Sequence, residues 1–124
     1  MKEEVKRWLE LAERDFESAR NNFGGGDYYV ASLLCQQSVE KGLKALYLKK
    51  FKEIKKIHNL VILAEELKLP KKLVDICDKL NPIYIETRYP DVSGELPHKK
   101  YTEDRSQEDI KAAEKVLKWL KRKI

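Results

Sequence analysis

Little in this sequence staples or breaks a chain. Two cysteines in 124 residues exclude a disulfide framework, and neither stands in a Cys-x-x-Cys pair, which excludes a zinc knuckle as well. Four prolines and five glycines are too few for a collagen-like or low-complexity chain. The two histidines form no His-x-x-x-His pair and have no carboxylate cluster beside them, so no metal centre is expected. No cofactor motif stands out either: Gly24-Gly25-Gly26 lacks the Lys-Ser/Thr that completes a phosphate-binding loop. No apolar run approaches the ~18 residues of a membrane span. The opening stretch Met1-Lys2-Glu3-Glu4-Val5-Lys6-Arg7 has no apolar signal core. The expectation is a cytoplasmic protein with no membrane contact.

Charge is what the chain has in abundance. Charged residues make up 38% and hydrophobic ones 42%. Lys and Arg total 26 against 21 Asp and Glu, a net charge of +5 and a pI near 9.1. The excess favours an anionic partner such as RNA or a nucleotide, although dense mixed Lys/Glu usage also fits a thermophile surface. The length matches one domain, expected over residues 1–124, and supports a core without covalent staples.

Helical periodicity dominates. Val5, Leu9, Ala12, Phe16, Ala19 and Phe23 recur at three- and four-residue steps, which predicts an amphipathic helix over 2–22 stopped by the three glycines. A second helix is predicted over 28–50 with Asp27 as its N-cap. Ala31, Cys35, Ser38, Gly42 and Ala45 give it a stripe of small residues that lets another backbone approach closely, and its broad apolar arc makes it central. A short helix opens at His58-Asn59, another at Pro70, and a further helical piece at Asn81-Pro82. Pro90 forces Tyr89 toward extended geometry. No period is visible over 89–105. Ser106-Gln107-Glu108-Asp109 then reads as a capping box for the last helix. The fold class expected is all-α: an up-and-down bundle of about five helices, with a long loop before the last.

Each polar candidate has a structural reading beside a functional one. Asp15, at the edge of the first helix's apolar arc, must be paired, either in a structural ion pair with a lysine or arginine or as a wall of a ligand cleft. Gln36, Gln37, Glu40, Lys41 and Lys44 form one polar arc on an otherwise buried helix. Such groups read a base or hold a phosphate, or bond between helices. His58 suits acid–base work but stands where a helix cap is wanted. Cys35 and Cys77 lie on apolar faces as packing residues.

Several fragments act together: Ala12-x-x-Asp15 with Ala19, Tyr28-Tyr29, the string Gln36-Gln37-Ser38-Val39-Glu40-Lys41-Gly42-Leu43-Lys44-Ala45-Leu46, then His58-Asn59-Leu60 and Arg88-Tyr89-Pro90-Asp91. In this order and spacing the chain resembles the HEPN family (higher eukaryotes and prokaryotes nucleotide-binding domain) from about Trp8 to Trp119. The resemblance implies a helical bundle that pairs as a homodimer and is often encoded with a minimal nucleotidyltransferase. It also implies kinship with metal-independent RNases of toxin–antitoxin systems, which carry an Arg-x(4–6)-His motif in the dimer cleft. This sequence departs from that motif, because nine residues separate Arg88 from His98, and the family's usual His-Asp pair is His58-Asn59.

Three functions compete. The first is a nucleotide- or RNA-binding module partnering a nucleotidyltransferase in a toxin–antitoxin-type pair, with Gln37, Lys41, Lys44, His58, Arg88, Tyr89 and Asp91 as ligand contacts. The second is a metal-independent RNase using Arg88 with His98 or His58. The third is a structural scaffold. The missing short-range Arg–His spacing favours the first over the second. In the loop, Asp91 is expected to hold the Arg88 guanidinium, while Trp8, Trp119 and the small-residue stripe are expected to supply a dimer surface.

Overall fold

A computed structural model describes residues 2–124. Two long helices, α1 (Lys2–Gly24) and α2 (Tyr28–Phe51), form an antiparallel hairpin, followed by α3 (Leu60–Glu66) and α4 (Lys71–Leu80). Three single-turn helices come next: α5 (Ile83–Glu86), α6 (Pro90–Ser93) and α7 (Pro97–Lys100). The long α8 (Glu103–Lys123) closes the bundle, and no strand occurs among the described residues.

The hairpin turns at Gly26, whose φ of 86° is the left-handed geometry that glycine adopts without steric cost. Asp27 occupies the N-cap position of α2 as expected, but its side chain makes no capping bond. Helix α2 is the axis of the fold. Val39 and Leu43 on it are fully enclosed and cluster with Leu60, Leu63, Leu80, Ile83, Val116 and Leu120 from the surrounding elements, while Leu48, also enclosed, clusters with Val5 and Ala45. Each such side chain contributes roughly 1.5–3 kcal/mol by leaving water.

The small-residue stripe of α2 is spent inside the chain. Ala31, Cys35, Ser38, Gly42 and Ala45 are all buried, and the Ser38 hydroxyl donates to the Ala12 carbonyl of α1 at 2.6 Å. Trp8 and Trp119 are half-buried against the two parts of the core. The small-residue stripe is thus inside the chain, while Trp8 and Trp119 keep part of their surface open. The large apolar side chains that do stand exposed include Ile85, Tyr89, Val92 and Leu96, all in one stretch from α5 to the start of α7.

Two expectations about the late segment are corrected. Residues 89–105 are not a loop: α6, α7 and the first turn of α8 lie in them, each too short or too polar to show a period. Helix α8 begins at Glu103, capped by the Thr102 side chain, which accepts from the Arg105 N–H at 3.2 Å. Ser106 is one turn inside that helix, fully buried, and its hydroxyl donates to the Tyr28 carbonyl at 3.0 Å. The tie is interhelical rather than a cap.

A Cβ built on Gly42 would stand 2.9 Å from Leu120 Cδ1 and 3.2 Å from Leu117 Cδ2. Gly42→Leu therefore overpacks the α2–α8 contact and should cost about 1–3 kcal/mol or more, lowering the melting temperature by roughly 3–15 °C in a thermal scan. An unchanged transition would show that this face is not in contact.

Candidate functional site

The polar arc of α2 points inward, not to solvent. Gln36 is fully buried, Glu40 is 4% exposed and Lys44 8%. An ionised carboxylate at such depth must be compensated. Lys44 Nζ lies 3.0 Å from Glu40 Oε2, and Gln36 Nε2 donates to Oε1 at 3.4 Å. The third partner comes from the connector after α2: His58 Nδ1 lies 3.0 Å from Glu40 Oε2. The Glu40 side chain thus pins the connector back against the middle of α2, while the imidazole itself remains mostly open to solvent.

His58 is free to do this because it is not the cap of α3. That role belongs to Asn59, whose side-chain oxygen accepts from the N–H groups of Val61 and Ile62 at 3.0 and 3.2 Å. Asn81, at the end of α4, donates to the same oxygen at 3.2 Å and accepts from the Leu60 N–H at 2.9 Å. The two asparagines lock the start of α3 to the start of α5. This brings Tyr84 onto His58, with ring centroids 4.9 Å apart and planes 13° from parallel. One helical turn further on, the Arg88 guanidinium carbon sits 4.3 Å from the centre of the same Tyr84 ring. A bonded imidazole and a guanidinium therefore share one phenol ring. An open groove of about 370 Å³ adjoins them, lined by His58, Asn59, Asp78, Asn81, Tyr84 and Ile85 among others.

Other expected ligand contacts are placed differently. Lys41 pairs with Asp15 of α1, the structural reading of that carboxylate. Lys44 is held by Glu40, with the Trp8 ring 5.8 Å away. Gln37 donates to Gln36 at 2.7 Å. In each case the buried position of α2 directs the polar group to an internal partner. Tyr89 and Asp91 are exposed. Arg88 rests on Tyr84 rather than on Asp91: among the described residues no ion pair joins the two. His98 is exposed on α7, and no hydrogen bond or ion pair links it to Arg88 among the described residues. The histidine brought to Arg88 is His58. Cys35 and Cys77 are fully buried; burial pushes the Cys35 thiol up and the Cys77 thiol up to about 12, as befits packing residues. Among the described residues, no group of three or more His, Cys, Asp or Glu side chains gathers where a metal could bind.

A second polar network fixes the segment that carries Arg88. Glu86 accepts from the Tyr101 hydroxyl at 2.8 Å and pairs with Lys100 at 3.1 Å, with Arg105 at 3.8 Å. Arg105 lies over the Tyr101 ring, 4.3 Å from its centre, and reaches toward Asp109 at 3.8 Å. Asp109 is fully buried and takes the Ser32 hydroxyl at 2.8 Å on one oxygen, while its other oxygen has no hydrogen-bond partner among the described residues. Burial raises its carboxyl above the usual range, against the lowering pull of Ser32 and Arg105. Sequence reasoning missed Asp109 as a core residue, though it stands on the inward face of α8 at four- and seven-residue steps from Ala113 and Val116.

The HEPN domain family matches residues 5–123. The chain belongs to the HEPN domain family. Its fold superposes on the crystal structure of TT1696 from Thermus thermophilus with a TM-score of 0.89, at 30% identity over 97% of this chain and 98% of that one. It also superposes on that of ST0689, an archaeal HEPN homologue, with a TM-score of 0.82, at 36% identity over 94% of each. No curated protein matches the chain significantly. This HEPN chain has the all-α bundle its resemblance implied, and no helix among the described residues is long and apolar enough to cross a membrane.

The Glu86 network has a pH signature. Burial opposes ionisation of Glu86, but Tyr101, Lys100 and Arg105 outweigh it and hold the carboxyl below its usual value. The stabilisation is therefore present above the ordinary carboxylate range and is lost as pH falls through the lowered value. Tyr101→Phe should cost roughly 1–3 kcal/mol near neutrality, and the difference from the parent should shrink on acidification. Denaturant melts at a series of pH values check this; a pH-independent difference would contradict it.

Proposed function

We propose that this HEPN chain, as one domain over residues 1–124, binds RNA or a nucleotide at the cluster of His58, Tyr84 and Arg88, and acts as the partner of a minimal nucleotidyltransferase in a toxin–antitoxin-type pair. The observation that carries the reading is the shared ring: a buried carboxylate orients His58, and Arg88 lies on the same tyrosine. Arg presents a planar fork suited to a phosphate and stays charged at any working pH. Tyr89 and Asp91 follow immediately on the exposed turn and are assigned to the rim. The chain acts as a homodimer through the exposed apolar stretch Ile85, Tyr89, Val92 and Leu96, which puts two such clusters near one another across a two-fold axis.

One observation favours a second reading, metal-independent RNA cleavage. Such a reaction needs a base for the 2′-hydroxyl and a cation for the charge that develops on phosphate. With Nδ1 directed at Glu40, His58 keeps Nε2 for the proton, and Arg88 is the cation on the same Tyr84 ring. In this reading His58 replaces His98 as the partner of Arg88.

The test is Arg88→Ala and, separately, His58→Asn, each with folding confirmed by circular dichroism. Binding of RNA or nucleotide should fall about tenfold or more for Arg88→Ala, the worth of a charged hydrogen-bond pair. His58→Asn should weaken binding by less than Arg88→Ala and abolish any cleavage. Parent-like binding and cleavage in Arg88→Ala would refute the site. A parent that binds neither RNA nor nucleotide, alone or with a nucleotidyltransferase partner, would leave the scaffold reading. Light scattering should give twice the 14.6 kDa chain mass at micromolar concentration, and the chain mass alone would refute the dimer.

A further inference from the structure

A different part of the molecule has its own chemistry. Where α2 and α8 end, a groove of about 460 Å³ is floored by Leu46, Leu67 and Trp119 and rimmed by Lys49, Lys50, Lys68 and Lys123. No carboxylate side chain among the described residues lines it. An adjoining groove around Val5 and Leu9 adds Lys2, Lys6 and Lys52 to Lys49, again without a carboxylate side chain among the described residues. Seven lysines line the two grooves.

Two of the lysines stand where lysine is a poor backbone choice. Lys52 has φ 62° and Lys68 φ 58°, and they are the non-glycine residues with positive φ among those described. This left-handed region favours glycine, because a Cβ crowds the neighbouring carbonyl there. Both positions follow helix ends, where glycine is the common occupant. The helix dipoles of α2 and α8 account for Lys49, Lys50 and Lys123 in their last turns. They do not account for lysine at the two strained positions, Lys68 on the rim of the first groove and Lys52 on that of the second. The floor is distinctive too: Lys123 Nζ lies 5.3 Å from the centre of the Trp119 ring, so the indole already presents a face to a cation within the groove.

We propose that this basic end is a second RNA contact, in which Trp119 stacks a base of a single strand and the surrounding lysines hold its flanking phosphates. An aromatic floor with lysines along its rim, Lys49 among them tied to the Ile124 carbonyl oxygen at 2.7 Å, matches a base between two phosphates. An acidic protein segment would have no use for the stacking face, and the half-buried indole does not protrude as a membrane anchor does. The proposal rests on the reading of the chain as an RNA binder but shares no residue with the His58 groove.

The strained lysines also supply the test. In Lys52→Gly/Lys68→Gly each substitution restores the favoured residue at its backbone position, so the fold should persist with an unchanged or higher melting temperature. Anisotropy of a labelled single-stranded oligoadenylate, measured over a salt series, should show the dependence of log affinity on log salt flattened by roughly 0.7 per lysine removed. Trp119→Leu should weaken binding at fixed salt by roughly five- to a hundredfold with the slope kept. A double variant with the parent's affinity and slope overturns the proposal and leaves the His58 reading standing. Weakening by the double variant but not by Arg88→Ala supports the basic end and refutes the His58 cluster as the RNA site. A parent that fails to bind the oligoadenylate overturns the proposal, while the His58 reading stands or falls on its own test with RNA and nucleotide. Displacement of the RNA by polyglutamate or by phosphatidylserine vesicles as effectively as by unlabelled RNA assigns the surface to an acidic protein or a lipid surface and overturns the proposal.

Discussion

The carboxylate of Glu40, enclosed in the middle of α2, is the constraint on which the site depends. Left alone at that depth it would cost several kcal/mol. Its compensation draws in Lys44 from one turn along the helix, Gln36 from one turn back and His58 from a separate segment. The last of these ties matters most for function. It fixes where the connector after α2 returns to the bundle, which edge of the imidazole faces solvent, and therefore what Tyr84 and Arg88 meet when α5 arrives. The two asparagines, Asn59 and Asn81, set that arrival by satisfying the first N–H groups of α3.

Much of the scaffold was legible in the sequence for a simple reason: α1, α2 and α8 are long enough for a 3.6-residue period to emerge over several turns, and the small-residue stripe of α2 marked its close approach to other helices. The HEPN resemblance was legible from strings of which the longest lies in the interior of the bundle. Gln36-Gln37-x-x-Glu40-Lys41 is the polar lining of a buried helix, and its Lys41 answers Asp15 of α1. The segment from α5 to α7 was not legible, because helices of one turn leave no periodic trace. The start of α8 was misplaced because Ser106 has the chemistry of a cap while its hydroxyl bonds across to Tyr28.

The candidate site was half legible. His58 and Arg88 were visible as chemistry-bearing residues, yet nothing in their separation of thirty positions joins them. The link is Tyr84, an apolar-face residue by pattern, whose spacing of four from Arg88 is a signal for a ring–cation pair. Expected ligand groups on α2 turned inward because a helix surrounded on all sides must satisfy its polar side chains internally. Asp109 shows the converse: a carboxylate on an apolar face, held by one hydroxyl, that the periodicity of α8 contains but does not announce.

The central claim is that Glu40 orients His58 beside Tyr84 and Arg88 to face an RNA or nucleotide ligand. A long-range proton–nitrogen correlation spectrum of the histidine side chains, recorded while RNA is added, tests it most directly. The account predicts that His58 carries a proton on Nδ1 in the free protein, directed at Glu40, and that its Nε2 resonance and the Tyr84 ring protons shift together as RNA binds. An unprotonated Nδ1, or RNA binding that leaves both His58 and Tyr84 unmoved, would contradict it.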